Sequence, residues 1–172
     1  MRPFFVSVQK MKITTKRLTL WAVTAALYTA VTLVTASFAY GPVQFRLSEA
    51  LCVLPFLFPE AAWGLFAGCW VSNLISPFGP LDMVVGSLAT LIAALWTAKC
   101  RRKWLAPLPP VICNGVLVGA VIAWQQSGSW ETFLPAFAFN GATVALGEAV
   151  VCFGLGLLLL RAVENSGALR RR

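Results

Sequence analysis

The chain predicts an all-α integral membrane protein of one domain, a six-helix bundle whose second and third helices are short or partial. Three observations carry this. Hydrophobic residues make up 59% of the 172 positions and only 12% are charged, against about a quarter charged in a soluble domain. The apolar residues fall in six segments separated by polar or Pro/Gly turns. The basic excess, net +8, collects between and beyond those segments rather than along one polar face. That pattern orients a chain in a bilayer and does not point to nucleic acid.

Residues 1–17 form a short basic N-terminus holding Arg2, Lys10, Lys12, Lys16 and Arg17, and Met11 opens a second basic start within it. The apolar run that follows is too long for a signal-peptide core and lacks a small-residue cleavage site, so it reads as a retained first helix. Segment 18–39 has the roughly 20 residues a spanning helix needs. Segments 47–58 and 61–75 are short, and Pro55 and Pro59 bracket the end of the former. They cross only where the domain is thin, or as tilted, partial or re-entrant helices covered by neighbours. Segments 83–98, 111–125 and 138–160 complete a membrane domain over 18–160, with a basic tail over 161–172. With six spans, the N-terminus, the loop of Lys99, Arg101, Arg102 and Lys103, and the tail share one side. The excess of positive charge makes that side cytoplasmic, with both termini on it. Trp21, Trp96 and Trp104 near that face, and Trp124 and Trp130 near the other, suit interfacial belts.

The stretch 40–58 interrupts this apolar chain with a Gly-Pro turn, an amide, an arginine and a glutamate. Arg46 and Glu49 are three residues apart, on one side of a helix if the chain is helical from Leu47 onward. An internal ion pair fixing a loop to the bundle would explain them, as would the lid or floor of a ligand site. Ionisable residues inside a membrane are functional candidates by default. The wider polar set comprises Gln44, Arg46, Glu49, Asn73, Asp82, Asn114, Asn140 and Glu148. Most of it gathers toward the outer helix ends. Glu148 is deeper, about 12 Å below Asn140 at 1.5 Å per residue, and there a carboxylate must be paired, protonated, or facing water or ligand. Interhelical hydrogen bonds, worth only ~0.6 kcal/mol each, explain single asparagines; the convergence of the group favours a polar pocket. The Gly41–Pro42 turn offers a hinge for loop 41–46 to close over that pocket.

Small residues mark close helix approach. Ala22, Ala26 and Ala30 repeat every fourth residue on the first helix and would let another helix approach closely, whether inside this domain or from outside it. Gly64-x-x-x-Gly68 and Gly115-x-x-x-Gly119 are better read as packing inside the domain. No histidine is present, and the five cysteines (52, 69, 100, 113, 152) stand singly in apolar context without C-x-x-C. They read as small packing residues, so no metal site, disulfide frame or cofactor is expected. No phosphate-cradling Gly-rich loop occurs. A membrane enzyme would have to use Glu49, Asp82 or Glu148, and no spacing pairs two of them. A self-powered transporter often shows repeated halves, and none is evident.

The stretches YGPVQFRLSEALCVLPF, NLISPFGPLDMVVGSLATLIAAL, LPPVICNGVLVG and ALGEAV together resemble the QueT family, the queuosine-precursor S components of energy-coupling-factor (ECF) transporters. The resemblance covers roughly residues 11–161. It implies a six-helix S component, not an enzyme, that captures a nutrient outside the cell. It further implies delivery with a transmembrane coupling protein and two ATPases, and a deazaguanine ligand, foremost the aminomethyl precursor. An S component for another vitamin-like nutrient is the nearest alternative. The Ala22/Ala26/Ala30 stripe corresponds to the coupling face of S components. A deazaguanine presents N–H donors, a carbonyl, a flat ring and, in the amine form, an ammonium. Glu49, Asp82 and Glu148 are then the candidate carboxylates, and Gln44, Asn73, Asn114 and Asn140 the amides. Arg46 stands beside them, and Phe45 or Tyr40 is the candidate stacking ring.

Overall fold

A computed structural model describes residues 14–39 and 45–166, the side chain of Phe38 excepted. Tyr40, Gln44, the hinge at 41–42, the basic residues before Thr14 and the tail 167–172 lie outside the described residues. Every regular element described is helical: α1 (Thr15–Val34), α2 (Ala36–Ala39), a 3-10 helix (Leu47–Phe56), α3 (Ala61–Ser72) with a 3-10 turn (Asn73–Ile75), α4 (Gly79–Thr97), a 3-10 turn (Lys103–Leu105), α5 (Leu108–Gln126), α6 (Trp130–Ala149), a π-helical stretch (Val150–Gly156) and α7 (Leu157–Asn165). Four spans are long and apolar enough to cross a membrane: α1, α4, the stretch ending in α5, and the continuous run Trp130–Asn165. The 3-10 helix and α3 are the short second and third segments. This is the six-segment, all-α membrane bundle the composition predicts.

α1 buries Thr24, Tyr28 and Thr32, a stripe spaced by four, and leaves Ala22, Ala26 and Ala30 exposed on another face. α3 lies against the buried side. A side chain on Gly64 would start 2.6 Å from the Trp21 carbonyl oxygen, and one on Gly68 would start 2.8 Å from that of Ala25. Only glycine permits this approach, so the α3 glycine pair packs inside the domain. The α5 pair does likewise: a Cβ on Gly119 would lie 2.6 Å from Gly141 Cα, and one on Gly115 would lie 2.9 Å from Ala145 Cβ.

Residues 47–56 are 3-10 and not α-helical. Pro55 has no N–H to donate, and a three-residue repeat eclipses every third side chain. Arg46, Glu49, Cys52 and Pro55 therefore stack on one face, and all four are buried. Three buried apolar clusters form the core, and two of them take in residues of this element. One joins Tyr28, Cys52, Leu65, Cys69 and Ala94. A second joins Ala89, Val118, Ile122 and Val144. The third joins Val53, Ala106 and Leu160. Outside, Leu27, Ile92, Val116, Phe139, Leu146 and Leu158 are exposed, the surface of a bundle solvated by lipid rather than water.

Several boundaries differ from those the sequence suggests: the last span runs on through Asn165 and not 160, and helix starts move toward the N-terminus. α4 begins at Gly79, where a positive φ of 70° turns the chain and Pro80 occupies the first turn. α5 begins at Leu108 with Pro109 and Pro110 inside its first turn, where missing N–H groups cost nothing. α6 begins at Trp130 because Ser129 and Thr132 form a reciprocal capping box, and Pro135 is absorbed with the loss of one helical bond. Arg17 pairs with Glu60 at 3.6 Å and Lys103 with Glu164 at 3.3 Å. The antiparallel run of the helices puts the start of α1, the turn at 57–60, the loop at 98–107 and the end of α7 at one end of the bundle.

Candidate ligand-binding site

Tyr28 from α1, Glu49 and Cys52 from the 3-10 helix, Cys69 and Asn73 from α3 and its 3-10 turn, and Asp82 and Thr90 from α4 meet around Arg46. Glu49 is fully buried. Its Oε1 accepts from the Tyr28 hydroxyl and, at 3.4 Å, from Thr90 Oγ1, while Oε2 accepts from the Cys52 thiol at 2.8 Å. The Arg46 guanidinium stands 4.0 Å from both Glu49 Oε1 and Asp82 Oδ2. These separations give charge attraction without a direct hydrogen bond. Asp82 Oδ2 accepts from Ser76 Oγ at 2.6 Å. Asn73 Nδ2 donates to the Asp82 carbonyl at 3.3 Å and to Cys69 Sγ at 3.5 Å. Asp82 falls in the first turn of α4, where the helix end favours a carboxylate.

A second polar group adjoins the first. Glu148 on α6 accepts from Asn114 Nδ2 of α5 at 3.0 Å. Cys152, on the π-helical stretch, sits between the groups: its Sγ is 3.7 Å from Glu148 Oε2 and 3.4 Å from the Glu49 carbonyl oxygen. Among the described residues, one guanidinium thus stands with three buried carboxyl groups, Glu49, Asp82 and Glu148. Two buried acceptors, Asp82 Oδ1 and Asn114 Oδ1, have no hydrogen-bond partner among those residues. A buried polar atom without a partner costs about 1–3 kcal/mol. Such an arrangement can receive a molecule that brings N–H donors and positive charge.

The structure therefore joins Arg46, Glu49, Asn73 and Asp82 directly and brings Asn114 and Glu148 to them through Cys152. It does not bring Asn140 to them. Asn140 Nδ2 donates to Gln126 Oε1 and to the Ala136 carbonyl, both at 2.8 Å, and so ties α6 to the end of α5. Phe45 is half-buried. Sequence reasoning missed Tyr28, Thr90 and three of the cysteines. The Thr24/Tyr28/Thr32 spacing, a polar stripe on an apolar helix, is the signal that marks Tyr28. The cysteines carry no such signal, because burial alone is what free cysteine shows anywhere.

A curated protein from Lactococcus lactis subsp. cremoris (strain MG1363), named queuosine precursor transporter QueT, is 38% identical over 73 residues, 41% of this chain and 43% of that relative. The match thus spans less than half of that protein's length. No solved structure matches the chain. The family model described as QueT transporter matches residues 18–165, which takes in every helix around the buried carboxyl groups. On that match the chain belongs to the QueT transporter family.

Proposed function

We propose that the chain is the substrate-binding S component of an ECF-type importer, taking a queuosine precursor of the deazaguanine class from outside the cell. The observation that carries this is the buried cluster of Arg46, Glu49, Asp82 and Glu148 with two unpaired acceptors, in a chain of the QueT transporter family. A deazaguanine offers several N–H donors, and its aminomethyl form adds an ammonium. Three carboxyl groups against one guanidinium favour that cationic form over a neutral nitrile. In this reading Glu49, Asp82 and Glu148 are the acceptors, Asn73 and Asn114 present mixed edges, and Arg46 holds the carboxylates in place when no ligand is bound. Asn140, held by Gln126, is left outside the site, and Gln44 stays a candidate amide on its sequence position alone.

Energy comes from partners in this reading, a transmembrane coupling protein with two ATPases. The chain then works as a binding subunit and not as an enzyme. Ala22, Ala26 and Ala30 form the docking stripe, and their exposure on α1 supports it. Residues 1–17 and 161–172 flank the membrane domain 18–160 on the cytoplasmic side, the side of the Arg17–Glu60 and Lys103–Glu164 pairs.

Native mass spectrometry of the chain, purified from cells supplied with aminomethyl and nitrile deazaguanines, tests the substrate; retention of the amine form is expected. Proteoliposomes test the role: the chain alone should bind ligand and fail to accumulate it with ATP. ATP-driven uptake by the purified chain alone would overturn the proposal.

A further inference from the structure

The basic end of the bundle holds a cleft that the binding of a solute among the helices does not use. Lys103 and Trp104, on the 3-10 turn after α4, and Leu157 and Arg161, on α7, line a cavity of about 80 Å³. A water molecule's share of liquid volume is about 30 Å³, so the cavity suits a phosphate-sized group and not a folded peptide. Lys103 Nζ is held by Glu164 Oε2 at 3.3 Å. Arg161 is exposed and has no acidic partner among the described residues, and Lys99, Arg101 and Arg102 are exposed in the stretch that leads to Lys103. The cleft's own two cations, Lys103 and Arg161, thus have one carboxylate between them, that of Glu164 on Lys103. The apolar half is equally defined: Trp104 is 53% and Leu158 59% exposed, at the level where the spans end.

We propose that this cleft binds the headgroup of an anionic phospholipid. The phosphodiester lies between Arg161 and Lys103 in charge-assisted contact. The glycerol and the first acyl carbons run over Trp104 and Leu157 toward the exposed flank of α7. Basic pockets between spanning helices bind such headgroups elsewhere. A soluble phosphate shares the anionic chemistry and makes no use of the indole or the leucine. A cleft of this size bordered by lipid-facing residues also fits a headgroup better than an acidic segment of a partner protein.

The test uses the full chain in nanodiscs made with equal phosphatidylglycerol and phosphatidylcholine. Lipid retained after extraction is read by native mass spectrometry. Phosphatidylglycerol should be retained at least about tenfold over phosphatidylcholine. Arg161→Gln should abolish the preference, Arg161→Lys should restore part of it, and Lys16→Gln should leave it intact. Each variant is checked for an unchanged unfolding temperature. Should Arg161→Gln fail to fold, Lys103→Gln gives the second reading, with loss of the same preference. Equal retention of both lipids, or a preference unchanged in the folded variants, would overturn the site. So would displacement of the lipid by millimolar inorganic phosphate, which assigns the cleft to a soluble anion. Loss of partner assembly with unchanged lipid retention would overturn it in favour of a protein contact.

Discussion

The Cys152 thiol donates to the backbone carbonyl of Glu49 at 3.4 Å, so the π-helical stretch of the last span touches the 3-10 helix where the two buried glutamates are nearest. Both elements depart from α-geometry at this contact, and a Cβ on Gly156 would lie 2.9 Å from Val53 Cγ1. Irregular turns of this kind concentrate at functional sites. Cys152 serves here as a joint between Glu49 and Glu148, beyond the packing role its apolar neighbours suggest.

A thiol in that position should report ligand. Cys152→Ser keeps a donor at the joint and should bind ligand within about threefold of the parent. Cys152→Ala removes the donor, and a neutral hydrogen bond is worth about 0.5–1.5 kcal/mol, so affinity should fall roughly three- to tenfold. Calorimetry with the aminomethyl deazaguanine separates the two variants. Equal affinities would leave Cys152 a packing residue.

Glu49→Gln and Glu148→Gln test charge while keeping shape. A hydrogen bond to a charged group is worth roughly 1.5–3 kcal/mol, so losing one should weaken binding about ten- to a hundredfold. The loss should be greater for the amine-bearing ligand than for a neutral deazaguanine with whichever glutamate meets the ammonium. Glu49 already accepts from Tyr28, Cys52 and Thr90. Its amide replacement must turn an N–H toward one of those donors, so it should also lower the unfolding temperature more than Glu148→Gln does. Titration of both folded variants with both ligands decides; unchanged affinities would move the site to Asp82 and the asparagines.

Gly86 offers a separate handle on the Asp82 side of the cluster. A methyl group there would start 3.0 Å from both Asn73 Nδ2 and Asp82 Oδ1. Gly86→Ala should push these groups aside and weaken ligand binding. Overpacking costs about 1–3 kcal/mol, so a lowered unfolding temperature should accompany it. Relief of the affinity loss by Asn73→Ala in the same chain would show that the contact is the cause; an additive double variant would show that it is not.

What the chain reveals without coordinates follows from how local each interaction is. The six segments are legible because lipid demands apolar length, and Arg46 with Glu49 because charge stands out there and their spacing is three. The starts of α4 and α6 are not, since Gly79-Pro80 and Ser129 with Pro135 read as turn residues until the capping geometry shows a helix beginning among them. The convergence of Asp82 with Arg46 depends on how α4 is rotated against the 3-10 helix. Asn140 shows the converse: it looks like its neighbours in sequence, and the register of α5 against α6 gives it to Gln126. The sulfur contacts were hidden because cysteine counts as apolar while its thiol still donates.

Two small-residue stripes, one of glycine and one of alanine, should respond in opposite ways. Gly68 lies under α1, where a Cβ would start 2.8 Å from both the Ala25 carbonyl oxygen and Tyr28 Cβ. Gly68→Leu should separate α1 from α3, displace Tyr28 from Glu49, and cost both stability and ligand binding. Ala26 is exposed on α1, so Ala26→Leu adds its side chain on an outer face and should leave the unfolding temperature and the ligand titration at parental values. If the stripe of Ala22, Ala26 and Ala30 is the docking face, the added side chain holds a partner helix away, because such contacts depend on close backbone approach. Co-purification of Ala26→Leu with the coupling protein should then fall while binding persists. Loss of ligand binding with intact assembly would place the stripe within the domain's own packing, and assembly at parental levels with parental binding would move the docking face elsewhere on the bundle.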